Sequence, residues 1–435
     1  MLQTLKTYKD RSFITLRLTT LVALTVCSSA LAADWSQFRG PNGAGISEET
    51  GIPTKWSESE NLAWKVDLPG KGTSSPIVVG DRVYLTCYSG YGISDRGGRM
   101  SDLKRHVVCV DRKSGDMVWN KTVDAALPED DYRGFLTEHG YASSTPVCDG
   151  ESLFIFFGKS GVLAFDLDGN QKWQVNVGKE SSGRRWGSGT SPILFKDTVI
   201  VNASDESQSI RALDKKTGKE IWKAEAAGLE LSFNTPVLIE SKDQTDLVVA
   251  VPYEIWGLNP DTGKLTWFAE TDLDGNVSPS IVSQGDIAYA IGGRAGGSLA
   301  LQVGGKGDIT SKIQWTSRNS SYVPSPVLLN GQLYWIYDRG VAYCMDAKSG
   351  ELTYRERLSI QGGGRPFYAS VVAADGKLYA LSRRSGTYVI DAKTEFKQIS
   401  INTISGDNTD FNATPAISNG QLFIRSDKAL YCIGK

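Results

Sequence analysis

One phrase returns eight times along this chain, and it limits the fold more than any other feature. The phrase is Ser or Thr, usually followed by Pro, then a short apolar run, a turn of Gly, Asp or Asn, and a strand ending in an aromatic. It reads Ser75-Pro76, Thr145-Pro146, Ser191-Pro192, Thr235-Pro236, Ser325-Pro326 and Thr414-Pro415, and twice lacks the proline, at Ser280-Ile281 and Ser370-Val371. After a first gap of 70 residues the copies follow every 44 to 46. A second phrase follows most copies: an Asp or Asn, a Gly four residues on, then an aromatic. It runs Asp111, Gly115, Trp119; Asp214, Gly218, Trp222; Asn259, Gly263, Trp267; and Asp346, Gly350, Tyr354. Asp166 to Trp173 is a shortened copy, Asp391 leads only to Ile399, and the fifth copy keeps Trp315 without the Asp.

Physical chemistry accounts for the spelling. Gly supplies the positive φ of a hairpin turn, and Asp bonds the turn's backbone. Proline at the start of a strand costs no ladder hydrogen bond. Tryptophan offers a broad flat surface to pack between sheets. A unit of this length with four short strands is one propeller blade. The chain is therefore expected to be all-β, an eight-bladed β-propeller of four-stranded antiparallel blades. The eighth copy ends at Ile433-Gly434-Lys435, before its aromatic strand, while a lone strand phrase stands at Asn61 to Leu68 around Trp64. The simplest reading is that this N-terminal strand completes the last blade and closes the ring, which removes free sheet edges.

The first residues read as an export signal. Lys6, Lys9, Arg11 and Arg17 make a basic leader, an apolar stretch runs from Leu18 to Ala30, and Ala30-Leu31-Ala32 supplies small residues for cleavage after Ala32. The expected organisation is a signal peptide over 1–32, an N-terminal extension over 33–60 and the propeller over 61–435. Removing the leader takes away four basic residues and Asp10, so the net charge moves from −2 to −5. A mildly acidic mature chain argues against nucleic-acid binding. Five cysteines remain: Cys87, Cys109, Cys148, Cys344 and Cys432. They read as small buried hydrophobes, although Cys87 and Cys109 fall on neighbouring expected strands, where an oxidising compartment would permit a disulfide.

The Asp-x-x-Thr-Gly-x-x-x-Trp phrase resembles the repeat of pyrroloquinoline quinone (PQQ) enzymes and equally that of BamB, the propeller lipoprotein of outer-membrane β-barrel assembly. The opening stretch Asp34-Trp35-Ser36-Gln37-Phe38-Arg39-Gly40-Pro41-Asn42-Gly43 resembles the N-terminal extension of secreted bacterial PQQ-like propellers. The enzymes' resemblance implies PQQ stacked on a disulfide between adjacent cysteines, a calcium held by Glu, Asn and Asp, and an Asp base. This chain has no Cys-Cys pair and no c-type haem motif, and its loop acids Glu206, Glu254 and Asp410 match no such constellation. Gly-x-Ser-x-Gly and His-Glu-x-x-His are also absent.

In a propeller, the loops that lead into the innermost strands and those between second and third strands lie over one face of the central channel. Here they carry arginines: Arg133, Arg184, Arg185, Arg318 and Arg365 in the first set, and Arg96, Arg99, Arg294, Arg339, Arg383, Arg384 and Arg425 in the second. Lysines such as Lys113, Lys215, Lys216 and Lys348 crowd the opposite turns. Arginine grips carboxylates and phosphates with a two-pronged fork. The tentative ligand-binding set is Arg133, His139, Arg184, Arg185, Trp186, Arg318, Arg365, Arg383 and Arg384. The alternative is that these arginines bridge neighbouring blades. His139 reads either as a base or metal ligand or as a structural hydrogen-bonding group. Two long segments, 89–105 and 120–140, should overhang the same face, and the acids of the second (Asp124, Glu129, Asp130, Asp131) suggest a partner surface.

The expectation is an exported, periplasmic or extracellular propeller acting as a non-catalytic binding or scaffold module, with no cofactor. Its partner would be an envelope protein segment or an anionic small molecule at the arginine-rich face. The rival reading is a PQQ-dependent oxidoreductase, with calcium, built on an atypical site.

Overall fold

Each Ser/Thr phrase opens the innermost strand of its own sheet. The computed structural model describes residues 34–434 apart from 94–97, 243, 294–295 and 361–363. The expected leader, Arg96 and Arg294 lie outside the described residues. The eight inner strands are Ile77–Val79, Val147–Cys148, Ile193–Phe195, Val237–Glu240, Val282–Gln284, Val327–Leu329, Val372–Ala374 and Ala416–Ser418. From each, three further strands pair outward in antiparallel order. In the last sheet the fourth strand is Leu62–Asp67, which pairs with Ala429–Ile433 and sets Trp64 opposite Cys432. The ring is thus an eight-bladed propeller closed by an N-terminal strand, as the repeat ends imply.

Two sets of contacts between neighbouring blades explain why the repeat is spelled as it is. At the rim, the outer-strand tryptophan of one blade lies over the turn glycine of the next. Its indole N–H donates to a carbonyl of that turn. Trp119 donates to Leu167 at 3.1 Å, Trp173 to Lys215 at 3.0 Å, Trp222 to Pro260 at 2.9 Å and Trp315 to Ala347 at 2.9 Å. Trp64 donates to Arg112 at 2.8 Å and so joins the eighth blade to the first. A Cβ on Gly115 would come within 2.7 Å of the Trp64 ring, so the turn needs glycine for its φ of +78° and for this close approach. The fifth blade lacks the Asp turn for a visible reason. There Gly307–Asp308 instead runs parallel to Leu265–Glu270, extending the fourth blade's edge.

The second set lies at the channel wall. The backbone N–H of Ser75 donates to the Thr145 hydroxyl, Thr145 to Ser191, Ser191 to Thr235, Thr235 to Ser280, Ser280 to Ser325, Ser325 to Ser370, and Ser370 to Thr414. These seven bonds span 2.9 to 3.2 Å, and all eight residues are buried. The recurring Ser/Thr is therefore a circumferential hydrogen-bond chain that carries each blade's register to the next.

The N-terminal stretch forms a floor beneath the channel. Trp35 exchanges two backbone bonds with Val78 of the first blade, and the Ser36 carbonyl accepts from the Cys148 N–H of the second. The buried Arg39 donates to the Ala44 and Pro326 carbonyls. Ile46–Ser47 then adds a parallel strand inside Val372–Ala374 of the seventh blade. The Glu49 carboxylate accepts the N–H groups of Asn419 and Gly420 at 2.8 and 2.6 Å, on a turn of the eighth. Residues 34–49 therefore visit blades around the ring before the chain reaches its closing strand.

The cysteines are the small buried hydrophobes that the sequence suggests, and the reading of the acidic loop is corrected in part. All five described cysteines are free and buried. Cys87 stands opposite His106, while Cys109 stands opposite Tyr84, so the two thiols are three ladder positions apart. In the acidic loop, Glu129 and Asp130 are not open to a partner, whereas Asp124 and Asp131 are exposed. Glu129 pairs with Arg105 and Asp130 pairs with Lys159 at 3.3 Å, all four side chains being under 10% exposed. These ion pairs clamp the loop onto the first and second blades.

Candidate functional site: the axial chamber and its mouth

Above the N-terminal floor, the channel widens into a chamber of about 130 Å³. Phe38 forms its base. The eight hydroxyls of the Ser/Thr chain line its wall, and Phe135, Trp186, Phe233 and Tyr368 close over the top. Phe135 comes from the clamped 125–140 loop and sits among residues from several blades. Its ring lies 4.8 Å from Trp186, 5.7 Å from Tyr322 and 5.9 Å from Tyr368. Trp186 in turn lies 5.8 Å from Phe233. The chamber is lined by no Asp, Glu, Lys or Arg.

His139 and Asn412 also face the chamber. Burial pushes the His139 pKa down to about 4, against the smaller opposing effect of a bond to the Trp186 carbonyl. The ring is therefore neutral at neutral pH. Its Nδ1 is buried without a partner, and so is the Asn412 Oδ1. The Asn412 amide group donates to the Glu138 carbonyl at 3.0 Å. The chain's other histidine, His106, is a structural residue of the first blade, 2.8 Å from the Ser89 hydroxyl and 3.2 Å from Asn120.

The arginines of the tentative ligand-binding set divide into three groups. Arg184, Arg365 and Arg383 gather at the mouth by stacking on its aromatics. Arg184 lies 5.6 Å from the Trp186 ring, Arg365 lies 4.5 Å from Tyr322 and 5.4 Å from Phe135, and Arg383 lies 3.9 Å from Tyr368. Two of these also bridge to loop acids: Arg365 to Asp338 at 3.1 Å and Arg383 to Glu138 at 2.5 Å. In the second group, Arg133 and Arg384 pair at the surface with Asp131 and Asp410. The third comprises Arg185 and Arg318, both exposed. Arg318 lines a separate groove with Asp272 and Leu273. Arg425 is wholly buried, donating to Ser74 and Thr86, and is structural. Phe38, Phe135, Phe233, Tyr322, Tyr368 and Asn412 were not singled out from sequence. The signal was present: Trp186, Phe233, Tyr322 and Tyr368 each stand two to five residues before a repeat Ser or Thr.

Fold and site together define a closed eight-bladed propeller of the quinoprotein type, with an aromatic-capped axial chamber. The chain belongs to the family described as outer membrane protein assembly factor BamB, whose model matches residues 103–356. Among solved structures it is similar to BamB from Moraxella catarrhalis, with a TM-score of 0.61 and 14% identity over 86% of this chain and 97% of that one. It is similar to a europium-containing methanol dehydrogenase, with a TM-score of 0.63 and 12% identity over 93% of this chain and 98% of that one. It is also similar to a quinohemoprotein alcohol dehydrogenase from Comamonas testosteroni, with a TM-score of 0.61 and 12% identity over 93% and 81% of the two chains. At such identities the likeness is one of fold. No curated protein sequence matches the chain.

The fold's association with PQQ and calcium can be tested against the residues present. PQQ is a tricarboxylate and needs cationic partners, and its calcium needs converging carboxylates. The chamber offers neither. Among the described residues, no three of His, Cys, Asp or Glu gather where they could hold a metal. The axial residues do not fit PQQ with calcium.

Proposed function

We propose that this chain is an exported, non-catalytic binding or scaffold module of the periplasm or cell exterior, which receives an acidic protein segment at its arginine-and-aromatic mouth. The observation that carries the reading is the layering of Arg184, Arg365 and Arg383 on Trp186, Tyr322 and Tyr368 above a chamber without charged side chains. Arginine and large aromatics are the residue types that dominate binding hot spots. Arg184 and Arg185 remain exposed beside Trp186, with their forks available to carboxylates. Acid–base or metal catalysis would need titratable groups converging inside the chamber, and His139, held neutral, is the single titratable nitrogen there. No helix of the described residues is long and apolar enough to cross a membrane.

Fluorescence anisotropy tests the reading with a labelled peptide of alternating Glu and Phe, and a control with Lys for each Glu. The acidic peptide should bind, weaken as salt rises, and lose at least about tenfold in affinity in Arg184→Glu/Arg185→Glu. Equal binding of the two peptides, or no effect of charge reversal, would remove the proposal.

A further inference from the structure

The chamber beneath the mouth is a second, independent site. We infer that it binds an uncharged, polyhydroxylated six-membered ring, a monosaccharide or cyclitol, with its edge toward the hydroxyl chain and its faces toward Phe38 and the aromatic roof.

Hydrogen-bond accounting selects the ligand's edge. Seven of the eight wall hydroxyls accept the N–H of the preceding blade's Ser or Thr. No carbonyl or carboxylate among the described residues takes a proton from these hydroxyls, so their O–H donors are left for the chamber. Each of the seven also keeps a second lone pair, so it can accept as well as donate. Unmet buried polar groups are costly. The complement to a belt of hydroxyls is a ligand whose groups both accept and donate, which is the property of an alcohol.

Charge and shape select the rest. With no charged lining residue, an anion or cation would be desolvated without compensation. Phe38 below and Phe135, Trp186 and Phe233 above present aromatic surfaces, which suit the C–H faces of a saturated ring. The volume of about 130 Å³ limits the occupant to a single small ring.

The test is calorimetric titration of the mature chain with glucose, galactose, mannose and myo-inositol, with glucuronate as the charged analogue. At least one neutral ring should bind saturably at one site per chain, and glucuronate at least about tenfold more weakly. Ser280→Ala and Ser325→Ala should each weaken the neutral ligand about fivefold or more, while Thr353→Val, on an exposed outer strand, should leave it unchanged. If a chamber variant fails to fold, saturation-transfer NMR on the wild-type chain replaces it, and irradiating aromatic protons should transfer to the ligand's ring C–H groups. Absence of saturable binding by all four neutral rings, equal binding of glucuronate, indifference to the chamber variants, or absence of aromatic transfer would each overturn the inference. The peptide titration reads the mouth and the sugar titration reads the chamber, so failure at one and failure at the other can be told apart.

Discussion

Removing one link of the hydroxyl chain should loosen the whole ring. In Thr235→Val the side chain keeps its shape but loses the oxygen that accepts the Ser191 N–H at 3.0 Å. Ser191 is 2% exposed and Thr235 7%, so the stranded N–H has little access to bulk water. Leaving a buried donor unsatisfied costs about 1–3 kcal/mol. The chamber side of the wall can partly solvate it, which places the single variant toward the lower end. Thr145→Val breaks a different link, the bond from Ser75 at 2.9 Å. The two links share no residue, so the double variant should lose about 2–6 kcal/mol, close to additively. That is a large part of the ~5–15 kcal/mol typical of folded domains. Thr353→Val is the control. Its hydroxyl bonds Gln332 at 3.0 Å on the exposed face of an outer strand, and its loss should cost less than about 0.5 kcal/mol. Urea unfolding followed by tryptophan fluorescence reads all four proteins. A double variant as stable as the control would refute the claim that the chain of hydroxyls holds the blades together.

Other outcomes follow from particular residues. Gly40 has φ +66° and ψ −151°, a backbone region open essentially to glycine, and a Cβ there would meet the Trp35 ring at 2.5 Å. Gly40→Ala should therefore destabilise by about 2 kcal/mol or more, with faster hydrogen exchange confined to residues 34–49. Glu206 is wholly buried, its pKa raised well above the usual value, first by burial and then by Asp205 beside it. A raised folded-state pKa means that the native state holds its proton longer than the unfolded chain, so stability falls as pH rises above about 4.5. Glu206→Gln should flatten that slope in unfolding measured from pH 5 to pH 9, and an unchanged slope would contradict the assignment. The chain has only two histidines, so proton NMR resolves both imidazoles. One, His139, should titrate near pH 4, and a midpoint near 6.5 would mean that the ring is solvated rather than buried at the chamber wall.

The fold was legible because the repeat states it several times over. Ser/Thr-Pro marks each inner strand, the Gly turn marks each rim contact, and the unmatched Trp64 phrase at one end answers the missing strand at the other. The role of the serines and threonines was less legible than their position. A hydroxyl can cap, turn or cross-link, and only the folded ring sets seven of them against the preceding blade's N–H. The floor could not be read at all, since nothing in Trp35 to Gly43 says that it will run under a channel built by residues hundreds of positions later. The arginine-rich face was half visible. Arg365 and Arg383 do reach the mouth, but Asp338 and Glu138 meet them there, and pairings between distant loops leave no local pattern. The acids of the 120–140 loop misled for the same reason: Glu129 and Asp130 are buried against Arg105 and Lys159, partners whose approach depends on tertiary structure.

The central proposal is that the axial chamber of this ring is a binding site without charged side chains, rather than a redox centre. Calorimetric titration of the purified chain with PQQ, with and without calcium, followed by a dye-linked alcohol oxidation assay, tests it most directly. The account predicts no saturable heat in either condition and no turnover. Tight, calcium-dependent binding accompanied by alcohol oxidation would contradict it.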